Sequence, residues 1–195
     1  MNRTLLGPLL LATAAAACSE VGPTAPTLDD PLGSVSTPGP QLALVSFPGD
    51  GAGTVLPHQG TTEVTVTVAE SATIVDLNLS VSLTHTWVED LTLSLRSPTG
   101  TIVVLSAKNG GSGQNYTGTV FDDEATASIT TGAAPFTGPF QPQEALSAFD
   151  GEDHQGTWAL IIYDDTPGDG GSLVSWSLEI ENDAPEGDRD GDGVP

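Results

Sequence analysis

The sequence predicts an all-β fold arranged as an antiparallel β-sandwich, and three observations carry that prediction. Apolar and polar residues alternate with period two in successive runs between Val64 and Ile180. No stretch after residue 18 offers a 3.6-residue period. Glycine- and proline-rich turns separate the runs, as the loops of a sandwich require.

The strands follow in order. Val64, Val66 and Val68 alternate with Thr65 and Thr67. Val75, Leu77, Leu79, Val81 and Leu83 are then expected on one face of the next strand, with Asp76, Asn78, Ser80 and Ser82 on the other. Leu91, Leu93 and Leu95 repeat the pattern, and Ser97-Pro98-Thr99-Gly100 is a turn into Ile102–Leu105. That last run is apolar on both faces, so it is expected as a central strand covered on both sides. Trp158–Tyr163 and the series Val174, Trp176, Leu178 and Ile180 supply two more strands. Asn109–Gly113 and Gly168–Gly171 suit tight reversals. Thr130–Ala148 is a longer connection expected to cross an edge or an open end, with Phe136, Phe140 and Leu146 as apolar anchors.

Ahead of this domain lies a different composition. Met1-Asn2-Arg3 and the apolar run Leu5–Ala17 make a positive start followed by a stretch too short to span a bilayer, so residues 1–17 are expected to be a signal peptide. Ala15-Ala16-Ala17-Cys18 resembles a bacterial lipoprotein signal, which implies a lipidated Cys18 and attachment to a membrane through that anchor alone. The alternative is ordinary secretory cleavage that leaves Cys18 a spare thiol. Either route exports the protein, to the bacterial cell envelope or beyond it. Residues 18–45, rich in Pro, Gly and Thr, are expected to be a tether, 46–180 the domain, and 181–195 an acidic tail.

Charge narrows the function classes. Across 195 residues, 26 acids face 4 basic residues (Arg3, Arg96, Lys108 and Arg189), which are scattered, for a formal net charge of -22. Nucleic-acid binding needs clustered cations and is excluded. One cysteine excludes an internal disulfide and a zinc site built from several cysteines. No serine stands in a Gly-x-Ser-x-Gly elbow, and His58, His85 and His154 are not at metal-ligand spacing. His58 and His154 lie in polar, glycine-containing loops and are expected at the surface, whereas His85 is expected to hydrogen-bond across a loop. The chain is not expected to be an enzyme.

A series of motifs resembles one family. The run His85-Thr86-Trp87-Val88-Glu89-Asp90-Leu91 with Ser97-Pro98-Thr99-Gly100-Thr101 opens the series. Asn109–Asn115, Phe121-Asp122-Asp123-Glu124, Ala134–Gly138 and Leu146–Phe149 continue it. Gly156-Thr157-Trp158-Ala159-Leu160, Asp164, Gly168–Gly171 and Trp176-Ser177-Leu178 close it. Together they resemble the P domain, or P/Homo B domain, which accompanies subtilisin-like proprotein convertases and bacterial subtilases. The resemblance implies a jelly-roll sandwich of galactose-binding-like type that packs on a protease domain and stabilises it, often with bound calcium. It also implies a protein partner such as a separately encoded protease, with two alternatives. One is a fragment or split part of a subtilisin-like serine endopeptidase. The other is a carbohydrate-binding module, with Trp87, Trp158 or Trp176 exposed for stacking.

Acids crowd the loops, and like charges brought together invite a hard divalent cation with oxygen ligands. Calcium is therefore expected at Asp90, Asp122, Asp123, Asp164 and Asp169. The run Asp188-Arg189-Asp190-Gly191-Asp192 resembles the start of a thrombospondin type 3 repeat, which adds Asp188, Asp190 and Asp192 as expected calcium ligands in the tail.

Overall fold

The computed structural model describes residues 41–184. They form β1 (Gln41–Pro48), β2 (Val55–Leu56), β3 (Gly60–Val68), β4 (Thr73–His85) and β5 (Leu91–Arg96). They continue with β6 (Ile102–Ala107), β7 (Tyr116–Phe121), β8 (Phe136–Phe140), β9 (Gly156–Asp164) and β10 (Gly171–Ala184). One sheet runs β1-β10-β4-β7-β8, with β2 also on β10, and the other runs β3-β9-β5-β6. The predicted all-β sandwich is the observed architecture. Its pairs are antiparallel except β7 with β8, which are parallel and joined by the connection of residues 122–135.

Alternation builds the core. Leu77, Leu79, Val81 and Leu83 of β4 and Trp176, Leu178 and Ile180 of β10 turn inward. Leu91, Leu93 and Leu95 of β5 and Trp158, Leu160 and Ile162 of β9 join them in one buried cluster. Trp158 is fully buried, its ring edge-on to Phe149 at 5.2 Å and its indole N–H donating to the His154 carbonyl at 3.0 Å.

Two bulges correct the predicted faces. β10 pairs Glu181 with Asp76 but Asn182 with Ile74, so Val75 is the extra residue and turns outward while Ile74 takes the core. At the other end β10 pairs Leu173 with Leu83 but Ser175 with Ser82, so Val174 is extruded and Leu173 is buried. A third correction concerns Ile102–Leu105. This run is an edge strand, with Ile102 exposed. Its free edge is covered by the long connection, where Gln143 N–H donates to Leu105 O and Glu144 N–H to Val104 O, both at 2.9 Å. The same connection pairs Phe136–Phe140 along the edge of the other sheet and buries Phe136 and Leu146. One segment thus closes an edge of each sheet, as its three apolar anchors led one to expect.

Strand β1 was not anticipated. It pairs with β10 from Gln41↔Ala184 to Pro48↔Ser177, so the expected boundaries at 45/46 and 180/181 fall inside a paired strand on each side.

Candidate functional site

The predicted calcium ligands do not meet at one place. Asp90, Asp164 and Asp169 gather around His85 at one end of β4, while Asp122 and Asp123 lie near Asp76 toward the other. Nine residue-to-residue steps of strand separate Asp76 from His85, roughly 30 Å at about 3.3 Å per step.

At the first end, β9 delivers Asp164 opposite Leu91 of β5. His85 and Asp164 are both buried, and His85 Nε2–H donates to Asp164 Oδ2 at 3.0 Å. Asp164 Oδ1 accepts the Thr166 N–H at 3.1 Å. His85 Nδ1 lies against the Trp87 backbone, 2.9 Å from its carbonyl oxygen and 3.2 Å from its nitrogen. Asn115, held at a positive φ of 68°, accepts the His85 N–H through Oδ1 at 3.0 Å. Both ring nitrogens and both carboxylate oxygens are thus engaged within the fold. The pair joins the 85–87 and 164–166 segments, as expected of a histidine that bonds across a loop. Around it, Thr86 Oγ1 donates to Asp169 Oδ1 at 2.7 Å and Lys108 pairs with Asp165. Trp87 and Tyr163 stand exposed at this end.

The second end is a cleft of about 450 Å³ walled by Asp76, Asp122, Asp123, Glu124, Asp150 and Glu181. The bulge at Val75 precedes Asp76, and β10 places Glu181 beside it. Burial raises the Asp76 carboxyl above its ordinary range, and Asp122, Glu181 and Asp123 add to the rise. Burial likewise raises Asp150, with Asp76 and Asp123 contributing. A hydrogen bond shared with Asp122 raises Glu124. Asp123 is committed to the fold: its two oxygens accept the N–H groups of Leu146 and Ser147, both at 2.9 Å. Asn78 donates to Asp76 Oδ2 at 3.1 Å, yet its own Oδ1 is buried without a partner among the described residues.

These donors are all oxygen, the chemistry a hard cation takes, and the orphaned Asn78 oxygen and the raised carboxyls fit such an ion. As the side chains stand, no three His, Cys, Asp or Glu groups among the described residues converge closely enough to hold a metal. Asp76, Asp150 and Glu181 were missing from the predicted ligand set. Asp76 carries a signal, an acid on the polar face beside Asn78, but only the topology joins it to residues 46–105 positions away. Asp188, Asp190, Asp192 and Cys18 lie outside the described residues.

Two further expectations are corrected. His154 is not at the surface but only 2% exposed, because its N–H bonds to Ala72 O and its carbonyl holds Trp158. His58 is exposed as expected. Of the three tryptophans considered for sugar stacking, Trp158 and Trp176 are core residues.

No curated protein matches the chain. Among solved structures, the Aeromonas sobria serine protease in complex with its chaperone is 22% identical with a TM-score of 0.47, covering 73% of this chain and 28% of that one. The same serine protease alone gives 22% identity and a TM-score of 0.45, with 72% and 27% covered. The chain therefore spans under a third of the length of those proteins. The sequence profile of the proprotein convertase P-domain matches residues 74–180, from the second residue of β4 to Ile180 in β10 and more than half of the chain. The chain belongs to the proprotein convertase P-domain family.

Proposed function

We propose that the chain is a non-catalytic P-domain module that binds a subtilisin-like protease domain and stabilises it outside the cytoplasm. The observation that carries this reading is the family match, which begins with β4 and takes in strands of both sheets. The His85–Asp164 pair supports it, since a histidine and carboxylate engaged on every polar atom serve as a clasp between loops. Calcium is part of the proposal. Asp76, Asp122, Asp150 and Glu181 with Asn78 Oδ1 would hold it in the acidic cleft, neutralising charge that the cleft otherwise leaves in mutual repulsion. Asp123 would contribute from the second rank, because its oxygens already fasten the 146–147 segment. The N-terminal motif supports delivery to the cell envelope through a lipidated Cys18.

One experiment addresses partner and location together. A tagged full chain, recovered from the envelope fraction of its own cells in calcium buffer, is expected to retain a subtilisin-like protease whose thermal inactivation is slower when the chain is bound. Cys18→Ser is expected to move both proteins to the soluble fraction. Recovery of no protease, or a protease half-life that ignores the chain, would overturn the docking proposal. A Cys18→Ser variant that stays in the membrane fraction would overturn the anchor.

A further inference from the structure

Beneath β1, at the edge of the sandwich and sharing no lining residue with the acidic cleft, lies a pocket of about 600 Å³, within the range that binds small molecules. Ala43, Val45 and Phe47 of β1 and Ala72 give it apolar walls. His154 and Asn182 also line it, 2% and 3% exposed. Both His154 ring nitrogens and Asn182 Oδ1 are buried without a hydrogen-bond partner among the described residues. Four buried side-chain atoms in the described residues share that condition, and three of them are here. Buried polar atoms are nearly always paired, so this concentration calls for a partner. Asn182 sharpens the point. It continues the inward series Trp176, Leu178 and Ile180, where a leucine would extend the core.

We propose that this pocket is a binding site for a small neutral ligand, an amide- or hydroxyl-bearing group on a mainly apolar body. A neutral imidazole offers one donor and one acceptor, and Asn182 Oδ1 a second acceptor. A primary amide, with two N–H donors and one carbonyl, complements that set. Phe47 lies tilted at 5.9 Å from the His154 ring and favours a flat ligand body. Glu70 lines the pocket and Asp153 adjoins His154, so an anion would enter against like charge.

The test uses the full chain and three probes of similar shape: benzamide, benzoate and toluene. The readouts are the nitrogen resonances of the His154 ring, the side-chain amide of Asn182, and Tm. Benzamide is expected to shift these resonances saturably and to bind about tenfold tighter than toluene, the worth of roughly one satisfied hydrogen bond. Benzoate is expected to leave them unmoved. His154→Phe and Asn182→Leu are each expected to weaken benzamide about tenfold while raising the Tm of the unliganded protein, since each removes an unmet polar group. Absence of a benzamide shift, or equal binding of all three probes, would overturn the proposal. So would a lower unliganded Tm in both variants, which would show side chains already satisfied. Nuclear Overhauser contacts from His154 to residues 1–40 or 185–195 would overturn it too, by making the chain its own occupant.

Discussion

Glu152 shows how a single acid is used here. Its Oε2 accepts the Thr99 hydroxyl at 2.8 Å and its Oε1 the Thr101 hydroxyl, while its backbone carbonyl takes the Ile74 N–H. One residue thereby ties the 97–101 turn to the segment before β9 and to the start of β4. Burial pushes the carboxyl up, but the hydroxyls of Thr101, Thr99 and Ser97 outweigh it and hold the group below its ordinary range. A lowered folded-state value means that ionised Glu152 stabilises the fold above its unfolded value near 4.5, and that this is lost as pH falls through the lowered value. Glu152→Gln is expected to cost about 0.5–1 kcal/mol at pH 7, after allowance for its partial exposure, and less at an acid pH below the lowered value. Thermal unfolding at the two pH values decides it, and equal Tm at pH 7 would remove the clasp. This role was not legible in the sequence. In the sequence Glu152 stands between Asp150 and Asp153 with nothing to set it apart, because the hydroxyls that distinguish it lie 51 and 53 residues away.

At the scale of the strand, alternation was legible wherever the strand itself carries no bulged residue. Leu91, Leu93 and Leu95 are buried as their spacing demands. Alternation failed at Val75 and Val174, because a bulge is a property of two strands and neither sequence alone announces it. The end of β10 at Val174 depends on a close approach. A Cβ on Gly171 would lie 1.7 Å from the Thr84 carbonyl oxygen, a backbone atom that cannot swing aside. Gly171 pairs with His85, so this approach also sets the strand that carries the histidine clasp. Gly100 is the contrasting case, with φ of +98° and open space around it. Gly100→Ala is expected to cost about 1–2 kcal/mol for the left-handed backbone alone. Gly171→Ala is expected to cost clearly more, with disruption of the β4–β10 pairing. Urea unfolding of the two variants compares them directly, and a Gly171→Ala no weaker than Gly100→Ala would show that the strands have room to part.

Across the whole molecule the question is where so much negative charge is tolerated. The two acidic ends of β4 stand roughly 30 Å apart, several Debye lengths at physiological salt, so each must be settled locally. Around His85 the settlement is internal, through His85–Asp164 and Lys108–Asp165. In the cleft none of the lining residues is basic, and Asp76 and Asp150 respond with raised values. Raised carboxyls bind more protons folded than unfolded just above pH 3.8, so ionising them costs stability above that window and acid restores it. In chelator, Asp76→Asn is therefore expected to raise Tm at pH 7 by about 1–2 °C, a gain that shrinks on acidification toward the raised value. With calcium the sign reverses, because an ion in the cleft makes the ionised carboxylate an asset, and Asp76→Asn is expected to shrink the calcium-induced rise in Tm. Buried His154, held below its usual range by desolvation, has the opposite pH dependence, but it is common to both proteins and cancels in the comparison. Calorimetry of the pair, in chelator and in calcium, separates the outcomes. A gain from Asp76→Asn in both media would leave the cleft as unrelieved repulsion and remove calcium from it, whereas the reversal would make the ion the counter-charge that the chain's four basic residues do not supply.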